Sequence, residues 1–219
     1  MVIAVAKTPY DEVEARVGEL TGALKRKVAA RLPEWLKARD PVAFRKAETE
    51  LAEVGRAFAD EVTAVLLDQA TRDLAFAVGS CQAVRFAAKH RHGGKREVEV
   101  QLLGGGSVTV KVDYLRPDLS GRSGRRRGHG RRGKGGAGVY PVLAMLGVAM
   151  GTTPALALEI CRQVADSDSV RSGRSALERR GIDLGHKQTL RIFDDFAGRA
   201  VGRSGWRGSR PISRPRVAW

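Results

Sequence analysis

The sequence predicts a mostly α protein with one β-hairpin, an α+β fold. Apolar residues recur at helical steps of three and four along residues 11–31, 40–88 and 139–200. Between the last two regions, apolar and polar residues alternate along residues 97–114, which is the period of a β-strand. Because 42% of the 219 residues are apolar, the chain has enough apolar side chains for a folded core.

These patterns divide the chain into four predicted parts. They are a helical arm plus β-hairpin at 1–115, a basic Gly/Arg linker at 116–138, a helix-turn-helix unit at 139–200 and a tail at 201–219. The tail contains prolines and arginines without any period, so we expect it to be disordered.

The helical arm begins with a helix at 11–31, which Pro33 is predicted to end. Asp40 and Pro41 then supply an N-cap acid and a proline for the first helical turn. The apolar period that follows continues to about Ala88. A helix of that length is unusual in a globular protein, so we expect a break or a helical pair. The arm is interpreted either as a dimerisation surface or as an ordinary helical hairpin core.

The hairpin is predicted from two alternating runs, EVEVQL and SVTVKVDY, which flank three consecutive glycines at 104–106. A hairpin of two strands is not stable alone in water. It is therefore expected to pack on the helices that precede it.

The linker carries much of the positive charge. The chain has 39 Lys and Arg against 24 Asp and Glu, a net charge of +15, and residues 91–219 account for +14 of it. Such a field attracts polyanions, and nucleic acid is the expected partner class. A membrane surface is not favoured, because the basic region lacks the apolar face of an interfacial helix. The expected backbone contacts are Arg125, Arg126, Arg127, Arg131, Arg132 and Lys134. The alternative is a solvated linker.

The C-terminal unit returns to helical spacing with four short helices. Their predicted starts are Tyr140-Pro141, Thr153-Pro154, Asp168 or Ser169, and Gly185 or His186. The third is predicted to end at Arg180-Gly181, with Ile182 and Leu184 filling the turn. The fourth is predicted to carry Leu190, Phe193, Phe196 and Ala197 inward.

The last two of these helices have the layout of a helix-turn-helix motif, in which the second helix enters the major groove of DNA. The residues predicted to face DNA are His186, Lys187, Gln188, Thr189 and Arg191. Gln and Arg can bond base edges, whereas Lys and Thr suit phosphates. Asp194 and Asp195 on the same helix would repel phosphate unless they face away. The alternative is a helical hairpin that packs only protein.

No cofactor site is predicted. Cys81 and Cys161 are too few for a zinc site of their own and point to the reducing cytosol. His90 and His92 are interpreted as solvated side chains at a helix end. A G-x-x-x-x-G-K match at 128–134 lacks the Ser or Thr that a phosphate loop needs, so nucleotide binding is not predicted.

The order of parts also carries a family resemblance. The hairpin EVEVQLLGGGSVTVKVDYLRP leads to the linker GRRRGHGRRGKGGAGVYPVLAMLGV, then to TTPALALEICRQVADSDSV and to RSALERRGIDLGHKQTLRIFDDF. Over residues 40–200 this resembles the N-terminal half of bacterial insertion-sequence transposases, most closely those of the Kra type. The resemblance implies binding to the terminal inverted repeats of a mobile element. It also implies a following RNase H-like domain, whose DDE carboxylates cut and join DNA with Mg²⁺.

The chain departs from that pattern in two ways. No cysteine-rich zinc ribbon follows the hairpin, so no metal site is transferred. We also expect the chain to lack the catalytic domain, and we interpret it as a truncated or frameshifted product, inactive alone, with Mg²⁺ expected only for that domain. The chain is predicted to be the DNA-binding and multimerising part of a transposase. Its expected partners are double-stranded DNA and further copies of itself. Its expected location is the bacterial cytoplasm, in association with the nucleoid. The alternatives are a stand-alone DNA-binding regulator, a complete nuclease or recombinase, and a protein–protein scaffold.

Overall fold

The computed structural model describes residues 9–87, 90–117 and 138–200, and the predicted tail and most of the predicted linker lie outside them. The described chain is mostly helical and contains a single two-stranded antiparallel hairpin, which confirms the predicted fold class. Its helices are α1 (Pro9–Trp35), α2 (Pro41–Arg72), α3 (Leu74–Ala87), α4 (Pro141–Met145), α5 (Pro154–Ala165), α6 (Val170–Glu178) and α7 (His186–Ala200). Its strands are β1 (His90–Gln101) and β2 (Ser107–Pro117). None of the helices in this part of the chain is long and apolar enough to cross a membrane.

The arm is an antiparallel pair formed by α1 and α2. An ion pair of 2.8 Å joins Arg16, early in α1, to Asp68, late in α2. At the other end of the pair, the indole N–H of Trp35 donates to the carboxylate of Glu50 over 3.1 Å. These two contacts fix the direction and the register of the two helices. The pair is lightly packed, since no described side chain of α1 is buried.

One helix boundary in the arm differs from the prediction, and another agrees with it. Pro33 lies inside α1, which continues to Trp35, so the predicted end is wrong by about one turn. A proline in the last turn removes one intrahelical hydrogen bond, and here the helix ends soon after it. The long pattern after Asp40 is divided at Asp73, whose extended backbone ends α2 and whose carboxylate accepts from the N–H of Phe76 in α3. The expected break is therefore confirmed.

The hairpin is longer than predicted and contains a bulge. β1 begins at His90, because the register shifts between His92 and Lys95 and pairing then continues to Pro117. The Gly93-Gly94 pair breaks the sequence alternation, which is why the first part of β1 was not predicted. His90 and His92 therefore lie in a strand, and their interpretation as residues of a helix end is wrong. The ring Nε2 of His92 lies 3.2 Å from the Asp113 carboxylate on β2.

One face of the hairpin packs on helices, as expected. The residues of this first core are Leu67, Val100, Leu102, Val110, Val112 and Leu143. Leu67 belongs to α2 and Leu143 to α4, so the short α4 helix packs with the hairpin. The predicted boundary at residue 139 places this helix on the C-terminal side of the linker.

The second core is formed by α5, α6 and α7. Its buried residues are Leu156, Ala157, Ile160, Val164, Leu177, Ile182, Leu184 and Ile192. The predicted stripe of α5 is confirmed, since Leu156 and Ile160 are fully buried and Val164 is 6% exposed. Ile182 and Leu184 also fill the turn before α7, as predicted.

The glycine turn of the hairpin lies between α2 and the turn that follows α6. The carboxylate of Asp60 accepts hydrogen bonds of 2.8 Å from the N–H groups of both Gly104 and Gly106. Gly105 has a φ of +96°, and a side chain there would overlap the carbonyl oxygen of Gly181. The three glycines therefore bring the arm, the hairpin and the C-terminal helices together.

Candidate nucleic-acid interface

Helix α7 is the candidate recognition helix, the one predicted to contact DNA bases, and one buried face holds it in place. Thr189 is fully buried and Ile192 is 3% exposed, and Phe193 and Phe196 pack against the same core. These positions have the i, i+3, i+4, i+7 spacing of a helical stripe. Leu190 is 38% exposed, so its predicted inward orientation is wrong. It lies one residue, or about 100° around the helix, from Thr189.

The outward face of α7 begins with basic residues. Lys187 and Arg191 are exposed and lie four residues apart, which places them on the same side, opposite Thr189. His186, the first residue of the helix, is also exposed. Three of the five residues predicted to face DNA are thus accessible at the N-terminal end of α7. In helix-turn-helix proteins this is the end that reaches base edges.

The other two predicted residues hold the helix in position. Thr189 is buried, and its hydroxyl donates to the carbonyl of Gly185 over 3.2 Å, so we leave it out of the candidate interface. The amide nitrogen of Gln188 donates to the side-chain oxygen of Gln101 over 3.1 Å. Since Gln101 is the last residue of β1, this bond joins the start of α7 to the hairpin.

Acidic side chains limit the basic part of α7 to its first two turns. Asp194 is exposed and follows Arg191 by three residues and Lys187 by seven, so it shares their face. The condition that these acids face away from the basic residues is not met at Asp194. A DNA backbone could approach the beginning of this helix more favourably than its middle.

The turn between α6 and α7 is longer than in a compact helix-turn-helix motif. Ser169 caps α6, as predicted, with its hydroxyl accepting from the N–H of Ser172 over 3.2 Å. Gly181, with a φ of +82°, adopts the predicted left-handed conformation after the helix. Seven residues, 179–185, then precede α7, whereas a compact motif has three or four.

Several arginines near this turn are engaged by acids of the same unit. Arg180 forms an ion pair with Glu159 of α5, whose side chain is only 11% exposed. Arg174 pairs with Glu178 over 2.6 Å. Residues 154–196 contain seven Arg and Lys and seven Asp and Glu, so the three-helix unit has no net charge. The large positive charge of the chain therefore lies elsewhere.

Two flanking segments carry most of that charge. Residues 118–137 and 197–219 each contribute a net +6. The predicted backbone contacts of the linker all lie outside the described residues, and they stay predictions: Arg125, Arg126, Arg127, Arg131, Arg132 and Lys134.

Sequence reasoning missed a group of arginines at the open end of the hairpin. Arg91 lies directly opposite Arg116. The guanidinium of Arg96 is 3.8 Å above the centre of the Tyr114 ring. The alternation of the strands would have revealed this group had β1 been extended back through the bulge to residue 90.

The described residues contain no group of three or more His, Cys, Asp or Glu side chains that could hold a metal ion. Cys81 and Cys161 are both free thiols. Burial raises the pKa of each from its usual 9.0, and the Asp113 carboxylate raises that of Cys81 further, against the Arg85 guanidinium, which lowers it.

Comparisons with protein-family models, with curated proteins and with solved structures found no match to this chain.

Proposed function

We propose that this chain binds double-stranded DNA and that the N-terminal end of α7 enters the major groove. The observation that best supports this is the arrangement of Lys187 and Arg191. Both are exposed at the start of a helix whose opposite face is buried in a three-helix unit. Arg can form paired hydrogen bonds with guanine, and Lys can bind base or phosphate oxygens.

The charge distribution supports separate roles in DNA binding for different parts of the chain. A unit with no net charge, such as residues 154–196, attracts phosphate weakly from a distance. The segments at 118–137 and 197–219, with a net +6 each, would supply the sequence-independent attraction. In this proposal α7 reads the sequence, while the basic segments provide most of the salt-dependent affinity.

The resemblance to insertion-sequence transposases suggests which DNA is bound. We propose the terminal inverted repeats of a mobile element, with this chain as the part that holds them. Strand cleavage would belong to a Mg²⁺-dependent catalytic domain of the kind that follows this half in such transposases. A stand-alone regulator would use the same α7 surface on a promoter instead.

We also propose that two copies associate through the helical arm. Phe44 is 56% exposed and Leu51 is 49% exposed, and their spacing of seven residues places them on one side of α2. Neither α1 nor residues 41–59 of α2 contain a described side chain that is buried. A second copy would cover this apolar stripe and complete the core of the arm.

The oligomer can be tested by sedimentation of the chain with Phe44→Glu and Leu51→Glu together. The expected result is conversion of a dimer to a monomer. Val42→Glu is the matched control, because Val42 is 79% exposed and lies on the opposite side of α2. A wild-type chain that sediments as a monomer at all concentrations would contradict this part of the proposal.

DNA binding can be tested by selecting duplexes from a random pool with the full chain. The selected duplex and a random one are then titrated at two salt concentrations. The proposal expects tighter binding to the selected duplex and, for both duplexes, affinity that falls steeply with salt. Binding that does not depend on salt, or no binding to any duplex, would favour the protein–protein scaffold. Mg²⁺-dependent cleavage by the chain alone would favour the complete-enzyme alternative.

A further inference from the structure

The β-hairpin separates its charged residues between its two faces. Regular alternation along β2 places Val112, Tyr114 and Arg116 on one face. Arg96 lies opposite Val112, and Arg91 lies opposite Arg116, so both arginines belong to that face. Near the glycine turn the same face packs on helices, whereas the three arginines at the open end are exposed.

The other face holds both lysines and all three acids of the hairpin. Lys95 lies opposite Asp113, and Lys111 lies opposite Glu97. Glu99, two residues beyond Glu97, is on this face as well. This face therefore has a net charge of −1, whereas the face with the arginines has +3 and no acid. A distribution set only by solubility would not require every arginine on one side and every acid on the other.

An aromatic ring supports the centre of the arginine group. The guanidinium of Arg96 stacks over Tyr114 at 3.8 Å, and the Tyr114 ring packs against Tyr140 with 5.2 Å between ring centres. This stacking orients Arg96 without neutralising it. Arg91 and Arg116 lie opposite each other across the strands, so two guanidinium groups are close together at the open end of the hairpin.

We propose that this surface, the arginine face (Arg91, Arg96, Tyr114 and Arg116), binds the phosphate backbone of duplex DNA. Arginine suits this task because its planar guanidinium can bond two phosphate oxygens at once. After β2 the chain enters residues 118–137, where seven Arg and Lys accompany one Asp, so the surface is continuous in sequence with the basic linker. The inference rests on the proposed DNA binding, but it does not depend on which bases α7 contacts.

The test is the full chain with Arg96→Ala and Arg116→Ala, titrated with selected and random duplexes at two salt concentrations. The matched control is Lys95→Ala with Lys111→Ala, which removes two positive charges from the other face of the same hairpin. The arginine variant should bind both duplexes about tenfold more weakly, and its log-affinity against log-salt slope should fall by about two. The lysine control should change affinity by less than about twofold.

Circular dichroism and thermal unfolding establish that each variant is folded. If the double variant is not folded, Arg116→Ala alone, at an exposed position, should reduce the slope by about one. Unchanged duplex affinity in a folded arginine variant, or equal weakening by the lysine control, overturns the inference while DNA binding by the wild type stands. If the arginine variant loses binding to phosphatidylserine vesicles but keeps its binding to duplex DNA, the inference is also overturned. A wild type that binds no duplex removes the proposed function, and this inference with it.

Discussion

The carboxylate of Asp60 on α2 accepts a hydrogen bond of 2.8 Å from the N–H of Gly104, although 44 residues separate them. Its second oxygen accepts from Gly106 at the same distance. Asp60 is only 9% exposed, so the bonds are shielded from water. On its other side the turn meets Gly181, which precedes α7 by five residues. The orientation of α7, the candidate recognition helix, relative to the arm therefore depends on this turn.

Replacing Asp60 by Asn should lower the free energy of unfolding by about 2–4 kcal/mol. The asparagine amide keeps one oxygen that can accept from one glycine N–H. Its NH₂ group then faces the N–H of the other glycine, and two donors cannot form a hydrogen bond. Glu53→Gln is the control, since Glu53 is exposed on the same helix. Chemical denaturation of both variants measures the difference. Equal stabilities for the two variants would show that the Asp60 bonds do not hold the turn.

Replacing Gly105 by Ala should destabilise the protein more than replacing Gly94 by Ala. Both glycines have a positive φ, of +96° and +86°, which costs an alanine about 1–2 kcal/mol. A Cβ at Gly94 would meet no atom within 4 Å, whereas one at Gly105 would overlap the backbone of Gly181. We expect an additional loss of about 1–3 kcal/mol for Gly105→Ala. Similar losses in thermal unfolding would mean that the turn is not tightly packed.

The bond between Gln101 and Gln188 should appear as an interaction energy in a double-mutant cycle. Each single change to Ala removes the same hydrogen bond, so the double variant should lose less than the sum of the two. The expected coupling is about 0.5–1.5 kcal/mol. Denaturant unfolding of the four proteins measures it. Additive effects would indicate that α7 is positioned without this bond.

The free thiols should react slowly and make stability depend on pH in the alkaline range. The folded pKa of Cys81 is raised, so the unfolded chain loses its thiol proton first as pH increases. The free energy of unfolding should be unaffected by this group below about pH 8 and should fall above it. Cys81→Ala should show a smaller fall. Iodoacetamide labelling at pH 8, followed residue by residue by mass spectrometry, should be slower in the folded than in the urea-unfolded protein; equal rates would contradict the raised pKa.

The local parts of the fold were predictable from the sequence, and the long-range parts were not. The α5 stripe of Leu156, Ile160 and Val164 is a periodic signal within one helix, and the structure buries all three. The bond from Asp60 to Gly104 joins distant positions, and no local pattern in the sequence indicates it.

The candidate interface shows how a small error in helix rotation changes the assignment of a site. A shift of one residue exchanged Thr189, which is buried, with Leu190, which is partly exposed. Threonine is polar and leucine apolar, so residue type alone favours the wrong orientation. Lys187 and Arg191 stay accessible in either rotation of the helix, because both lie well away from the edge between its buried and exposed faces.

The most direct test of DNA reading by α7 is the ratio of affinities for selected and random duplexes in the Lys187→Ala, Arg191→Ala double variant. The control variant, Lys25→Ala with Arg39→Ala, removes two exposed positive charges from the arm and the loop after it. The account predicts that the ratio of affinities for selected and random duplexes falls at least about tenfold in the α7 variant. The same variant should retain salt-dependent binding to random duplex. The control should keep the wild-type ratio. An α7 variant that is folded and still discriminates like the wild type would contradict the assignment of this helix to the major groove.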